Sequence, residues 1–306
     1  MSGADARIRP ADGGDRTPID SHVHFWGPSR LSYPWLGGAP EINRPFTPDD
    51  FSHAVPEPVG AVFVEAGRVD DQAVDELDWV RAEAGTRPWI LGAVAHAPLE
   101  DHVTAEALIG TYADDPFVVG VRRNLQDEAD GFATSADFRS GVSLLGEAGL
   151  PFDACVRARQ LPELAELAAS CPRTVIVLDH LGKPSAAHLD PSWRQAMDRL
   201  ANCGNVVCKL SGLATETAPD AEPGLLVSVL RQALEAFGPD RCLYGGDWPV
   251  MTLATGYGTW LAVVRAALAG FSDEAADAVL RTNAIRTYGL DRAQASPRHP
   301  TREEPA

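Results

Sequence analysis

Two histidines one residue apart, His22 and His24 in the string IDSHVHFW, are the first residues in the chain whose types and spacing suggest chemistry. On an extended strand, side chains two apart leave the same face, so both imidazoles are presented together. A pair placed that way can hold one ion or one carbonyl oxygen. A third histidine, His180, closes the strongest β run in the chain, TVIVLDHLGKP. Asp247, in RCLYGGDWP, follows two glycines and precedes Trp248 and Pro249. The glycines let the backbone turn sharply and Pro249 delays helix formation, which sets the carboxylate on a rigid turn. Near imidazoles or a metal, such a carboxylate is suited to act as a general base, taking a proton from water near neutral pH.

These four residues need elements that bring them together. Eight short runs rich in β-branched and apolar residues are predicted as strands, at 18–24, 61–66, 89–96, 117–124, 151–157, 174–180, 205–210 and 241–247. Most are near-continuously apolar, as parallel strands covered on both faces are. Helical spacing predicts helices over 70–84, 101–113, 134–148, 158–170, 190–202, 221–237, 257–269 and 273–288, while the Pro-rich, aromatic segment 27–51 reads as a loop. Eight such alternations predict an α/β fold of the distorted (β/α)8 TIM barrel type, one domain over 18–290, with loose tails at 1–17 and 291–306. The rival, a doubly wound open sheet, would usually carry a glycine-rich phosphate loop after its first strand, where this chain has two histidines.

A barrel places its active site where the strands end. Besides the four residues above, Glu65, His96, Arg122 with Arg123, Arg157, Asp179 and Lys209 occupy those ends. Asp179, next to His180, is expected on the opposite side of its strand as a structural hydrogen-bond partner. Lys209 is expected as a buried ion-pair partner near Glu65, and Lys183 with Pro184 shapes the loop after His180. Trp26, Tyr33, Trp35 and Trp248 fall on mouth loops, where they either pack against a ring-shaped substrate or cover the rim.

Composition narrows the function. Lys and Arg total 26 against 43 Asp and Glu, a net charge of −17, which argues against a nucleic-acid partner or a polybasic membrane surface. No apolar run reaches the length of a membrane span, and the polar start MSGADARIRPADGGDRTP lacks the apolar stretch of a signal peptide. The five cysteines are odd in number, scattered and never in a C-x-x-C pair, a pattern expected of reduced thiols in the cytoplasm. Neither G-x-S-x-G nor a well-placed cysteine nucleophile is present, so no covalent intermediate is expected. The expected partner is a small-molecule substrate.

The ordered set IDSHVHFW, YPWL, GVRRNLQ, PFDACVRARQL, LDHLGKP, CKLSGL, YGGDWPV and NAIRTYGL, spanning about residues 18–290, resembles the amidohydrolase superfamily. More narrowly it resembles the lactonase branch that includes L-fuconolactonase and 2-pyrone-4,6-dicarboxylate lactonase. That resemblance implies a hydrolase acting on the carboxylic ester of a small lactone, either a sugar lactone or a carboxylated pyrone-type ring. It implies that His22, His24 and His180 are the catalytic histidines and Asp247 the catalytic aspartate. It places Arg122, with Arg157 as a second candidate, on a substrate carboxylate or hydroxyl, a task suited to a guanidinium; a structural salt bridge is the other reading of Arg157. Trp26 and Trp248 are the aromatic candidates for substrate contact. Arg123 stands where other members often carry histidine. Neither lysine lies on a middle strand, so the bridging lysine of a two-metal site is missing. One divalent ion, zinc or manganese, fits His22, His24 and Asp247 with His180 as ligand or neighbour; in the metal-free alternative the three histidines polarise the carbonyl directly. A metal-dependent decarboxylase of an aromatic or unsaturated acid from the same superfamily, and a non-catalytic ligand-binding barrel, are the competing readings.

Overall fold

The computed structural model describes residues 16–185, 189–217 and 223–290. Except for Arg16 and Thr17, the tails expected at 1–17 and 291–306 lie outside the described residues. Eight parallel strands follow one another in chain order: β1 (Ile19–Val23), β2 (Gly60–Val64), β3 (Ile90–His96), β4 (Val118–Arg122), β5 (Phe152–Ala154), β6 (Ile176–Leu178), β7 (Val206–Leu210) and β8 (Cys242–Tyr244). The ring closes through a parallel bridge from Val23 to Trp248. There the Asp247 amide donates to the His22 carbonyl at 2.8 Å and the His24 amide to the Trp248 carbonyl at 2.7 Å. Closure therefore uses the residues that the sequence singles out, and it sets His22, His24 and Asp247 side by side.

Helices cover the outside: α1 (Pro48–Ala54), α2 (Ala73–Ala84), α3 (His102–Ala113), α4 (Ala136–Ala148), α5 (Leu161–Ser170), α6 (Pro191–Ala201), α7 (Pro223–Phe237), α8 (Tyr257–Leu268), α9 (Asp273–Asp277) and α10 (Asn283–Thr287). Side chains of Asp101, Ser135 and Asp190 accept backbone amides at helix starts, which ends three strand-exit loops sharply, and Ser272 does the same between α8 and α9. Two expectations change. The helix predicted over 273–288 is divided by a π-helical turn at Ala278–Thr282, and the segment 27–51 holds two 3-10 turns and the start of α1. That segment is pinned by an antiparallel bridge between Trp26 and Phe46.

The large core lies between barrel and helices. A second apolar cluster, including Ile19, Val62, Val94, Val119, Val177 and Leu243, is joined by Ala284, Tyr288 and Leu290 from the C-terminal end of the described chain. Among the described residues no helix is long and apolar enough to cross a membrane, and all five cysteines are unpaired.

Candidate active site

Strand alternation carries His22 and His24 to the same side, although the register shifts between Asp20 and Val23. Their Nε2 atoms stand 3.2 Å apart. His24 Nδ1 lies 2.8 Å from the Val64 carbonyl oxygen. A carbonyl only accepts, so His24 carries its proton on Nδ1 and its Nε2 lone pair faces the mouth. Asp247 Oδ1 lies 3.5 Å from Nε2 of His24, 3.8 Å from that of His22 and 4.0 Å from that of His180. Four side chains from three distant segments thus meet.

Asp247 reaches this point because its own backbone is left-handed, with φ of +60°, a conformation that aspartate tolerates better than most residues. Gly246 serves close approach rather than the turn itself: a Cβ there would stand 2.4 Å from Asp20 Oδ2. Asp20, which the sequence reading passed over, is fully buried. Its Oδ1 accepts the amides of His22 (2.9 Å) and Gly246 (2.7 Å), and its Oδ2 accepts the Tyr257 hydroxyl (2.8 Å). One carboxylate therefore fixes the backbone on both sides of the barrel seam. Burial pushes its carboxyl up to about 7. The sequence signal was available: an aspartate inside the predicted first strand, two residues before His22.

The sixth strand departs from expectation. β6 ends at Leu178, and Asp179–Gly182 form a 3-10 turn in which His180 and Leu181 have positive φ. Alternation stops where the strand stops, so Asp179 does not point away. Its Oδ1 is 3.2 Å from His22 Nδ1 and 3.1 Å from Lys209 Nζ. His180 Nδ1 rests 2.9 Å from Ser211 Oγ. Lys209 pairs with Asp153 (2.5 Å) and Asp179, and lies 3.0 Å from His22 Nδ1. It does not pair with Glu65, whose carboxylate is instead taken by Arg122 at 2.6 Å with Arg68 3.6 Å away. Asp153, also missed, accepts the Tyr288 hydroxyl.

Electrostatics favour lone pairs on His22 and His180 and charge on Asp247. Burial lowers His180 to about 4, and burial with the Lys209 charge holds His22 well below the usual imidazole range. Burial alone would raise the Asp247 carboxyl, but attraction to His180 and the nearness of His24 and His22 hold it below the usual carboxylate range.

These groups form the floor of a cavity of about 310 Å³, with His24, His180 and Asp247 exposed to it and Trp35, Arg122 and Lys183 on its walls. Arg122 reaches the wall already paired with Glu65. Lys183, the fourth consecutive residue with a left-handed backbone after His180, Leu181 and Gly182, donates to Gln126 Oε1 at 2.6 Å. Arg157 lies outside this cavity: its side chain is 46% exposed and bound to Asp127. Trp26 and Trp248 are buried in aromatic packing against Phe46 and Phe51, because the 27–51 segment folds over them. Trp35, 38% exposed, is the indole that lines the cavity, held by Nε1 donating to the Ala66 carbonyl. Arg123 pairs with Glu100 and Glu128.

The donor set suits a divalent cation. One ligand atom each from His22, His24 and Asp247 lies within 4.8 Å of the others, and all three residues are buried. Nitrogen and oxygen donors of this kind, with one imidazole already oriented by a backbone carbonyl, match metal sites in which the other ring nitrogen is hydrogen-bonded. A second group, His22, Asp179 and His180, meets the same distance.

The sequence matches the amidohydrolase family (Amidohydro_2) over residues 19–290. The chain belongs to that family. It is 38% identical over 261 residues to an L-fucono-1,5-lactonase of Burkholderia multivorans, covering 78% of this chain and 84% of the relative. It is 32% identical over 284 residues to an L-fucono-1,5-lactonase of Burkholderia ambifaria, covering 90% and 96%. A solved amidohydrolase structure from Burkholderia multivorans with bound zinc superposes with a TM-score of 0.80 at 33% identity, over 90% of this chain and 100% of that one.

Proposed function

We propose that this amidohydrolase is a lactonase that opens the ring ester of a small, neutral, hydroxylated lactone of the sugar type. The observation that carries the reading is the meeting of three imidazole Nε2 atoms within 3.5–4.0 Å of one aspartate oxygen on the floor of the cavity. The two relatives named as L-fucono-1,5-lactonases support the same class.

A lactone enters with its carbonyl toward the histidines and its hydroxyls toward the walls. Asp247, ionised and left-handed at its backbone, takes a proton from the water that attacks the carbonyl, then passes it to the ring oxygen as the acyl–oxygen bond breaks. The products are one hydroxy acid and, at neutral pH, one released proton. His22, His24 and Asp247 would hold a cation, with His180 beside them. With zinc or manganese held there, the site would gain Lewis-acid polarisation of the carbonyl. Lys183 and Trp35 orient the ring.

The walls favour a neutral substrate over a carboxylated one. Arg122 is neutralised by Glu65, Lys183 is engaged by Gln126 with Glu216 3.8 Å away, and Asp127 on the rim is paired with Arg157. A dicarboxylate would find no unpaired guanidinium there. The test is a pH-indicator assay against sugar lactones and carboxylated pyrones, run beside elemental analysis of the purified protein. Proton release with a sugar lactone supports the proposal. Carbon dioxide release from an aromatic acid, with no lactone turned over, would replace it with a decarboxylase.

A further inference from the structure

We propose that Lys209 and Asp179 select between two tautomers of His22, Lys209 holding the form suited to the cation-free site and Asp179 the form that ligates a cation. The inference rests on the reading of His22, His24 and Asp247 as a cation site. Both residues act through His22, and so are positioning residues.

His22 Nδ1 has two neighbours of opposite character. Lys209 Nζ, a donor only, is 3.0 Å away, and Asp179 Oδ1, an acceptor only when ionised, is 3.2 Å away. All three side chains have no solvent exposure. A neutral imidazole carries one N–H, so it satisfies one of these neighbours at a time. With the proton on Nε2, Nδ1 accepts from Lys209 and Nε2 donates to His24 Nε2 at 3.2 Å. His24 can accept because its own proton is committed to the Val64 carbonyl. The donations then run without a break from Lys209 through His22 and His24 to the backbone.

In that arrangement His22 has no lone pair for a cation, and Asp179 keeps only the Lys209 ammonium, 3.1 Å away. Both Asp179 oxygens are buried without a well-aligned hydrogen bond, although Oδ1 is close to His22 Nδ1 and Lys209. Buried acceptors are rarely left unused, and each costs stability. Moving the His22 proton from Nε2 to Nδ1 gives Asp179 a donor and turns the Nε2 lone pair toward His24 Nε2 and Asp247 Oδ1. His22 stays neutral, and no proton enters or leaves the site. Lys209 keeps its 2.5 Å bond to Asp153, which Tyr288 also anchors, so the ammonium is not stranded when His22 turns to Asp179.

The test uses the full chain, 15N-labelled, with zinc as the probe. Long-range proton–nitrogen spectra report which ring nitrogen of His22 is protonated, the signal being assigned by its loss in His22→Asn. The expected result is protonated Nε2 in chelator-treated protein and protonated Nδ1 after one equivalent of zinc. Asp179→Asn is expected to weaken zinc binding about 10- to 100-fold in competition with a chelating indicator, the range usual for partners of ligating histidines. Protonated Nδ1 in the metal-free protein, or zinc affinity unchanged in Asp179→Asn, overturns the proposal. So does a second equivalent of zinc that disappears in Asp179→Asn, since Asp179 would then be a ligand itself. If Asp179→Asn does not fold, the wild-type spectra still decide. A wild-type protein that takes up no zinc ends both this inference and the cation-site reading, whereas lactone turnover by that same protein leaves the proposed hydrolysis standing.

Discussion

Replacing Asp247 with asparagine removes the proton acceptor and the anionic member of the cation-holding set while keeping the backbone as it is. The backbone there has φ of +60°, which asparagine tolerates as well as aspartate does. The Asp247 amide bond to the His22 carbonyl that helps close the barrel is also kept. What is lost is the charge that faces three imidazoles at 3.5–4.0 Å. A positioned general base is worth about 10²- to 10⁴-fold in rate, or about 3 to 5 kcal/mol of barrel-floor contribution to the transition state. Asp247→Ala provides the contrast, since it should lose the same activity and add about 1–2 kcal/mol of left-handed strain. The assay is proton release from a sugar lactone that the wild type turns over, at saturating substrate, with zinc titrated so that weaker cation binding is separated from loss of the base. Thermal melting is measured alongside. Asp247→Asn should melt like the wild type and Asp247→Ala a few degrees lower. An asparagine variant that keeps more than about a tenth of the wild-type kcat would refute the assignment of Asp247 as base, being well short of the smallest effect expected.

Other outcomes follow from the same geometry. Arg157→Ala should change kcat/KM less than about twofold, as expected for an exposed ion pair at the rim whose Arg157 side does not line the cavity, whereas Trp35→Ala should raise KM with kcat nearly unchanged; steady-state kinetics on both variants checks the pair. Asp20→Ala leaves the amides of His22 and Gly246 and the Tyr257 hydroxyl without this acceptor, and should cost about 3–9 kcal/mol at about 1–3 kcal/mol per stranded group, read by denaturant unfolding. Glu76 is raised from 4.5 to about 8 by burial and then by the Glu65 charge. The unfolded chain gives up that proton near 4.5 and the folded chain only near 8, so this group lowers stability as pH rises between those values. Glu76→Gln, which cannot ionise, should therefore gain melting temperature over the wild type progressively from pH 5 to pH 8. An equal difference at every pH would show that burial does not hold the Glu76 proton.

The amino-acid sequence by itself determined the order of eight strands and their helices, because apolar periodicity is a local property and every run it marked is a strand of the barrel. It also determined His22, His24, His180 and Asp247 as the residues that meet, since strand alternation and strand ends are readable one segment at a time. Tertiary structure decided the rest. Asp179 faces inward because β6 stops one residue before it and the backbone turns left-handed, which alternation cannot foresee. Lys209 pairs with Asp153 and Asp179 rather than Glu65, and Arg157 stays outside while Trp35 lines the cavity. Pairings of this kind depend on distances across the lumen between residues 30 or more positions apart, and they are set by barrel closure rather than by any local preference of the chain.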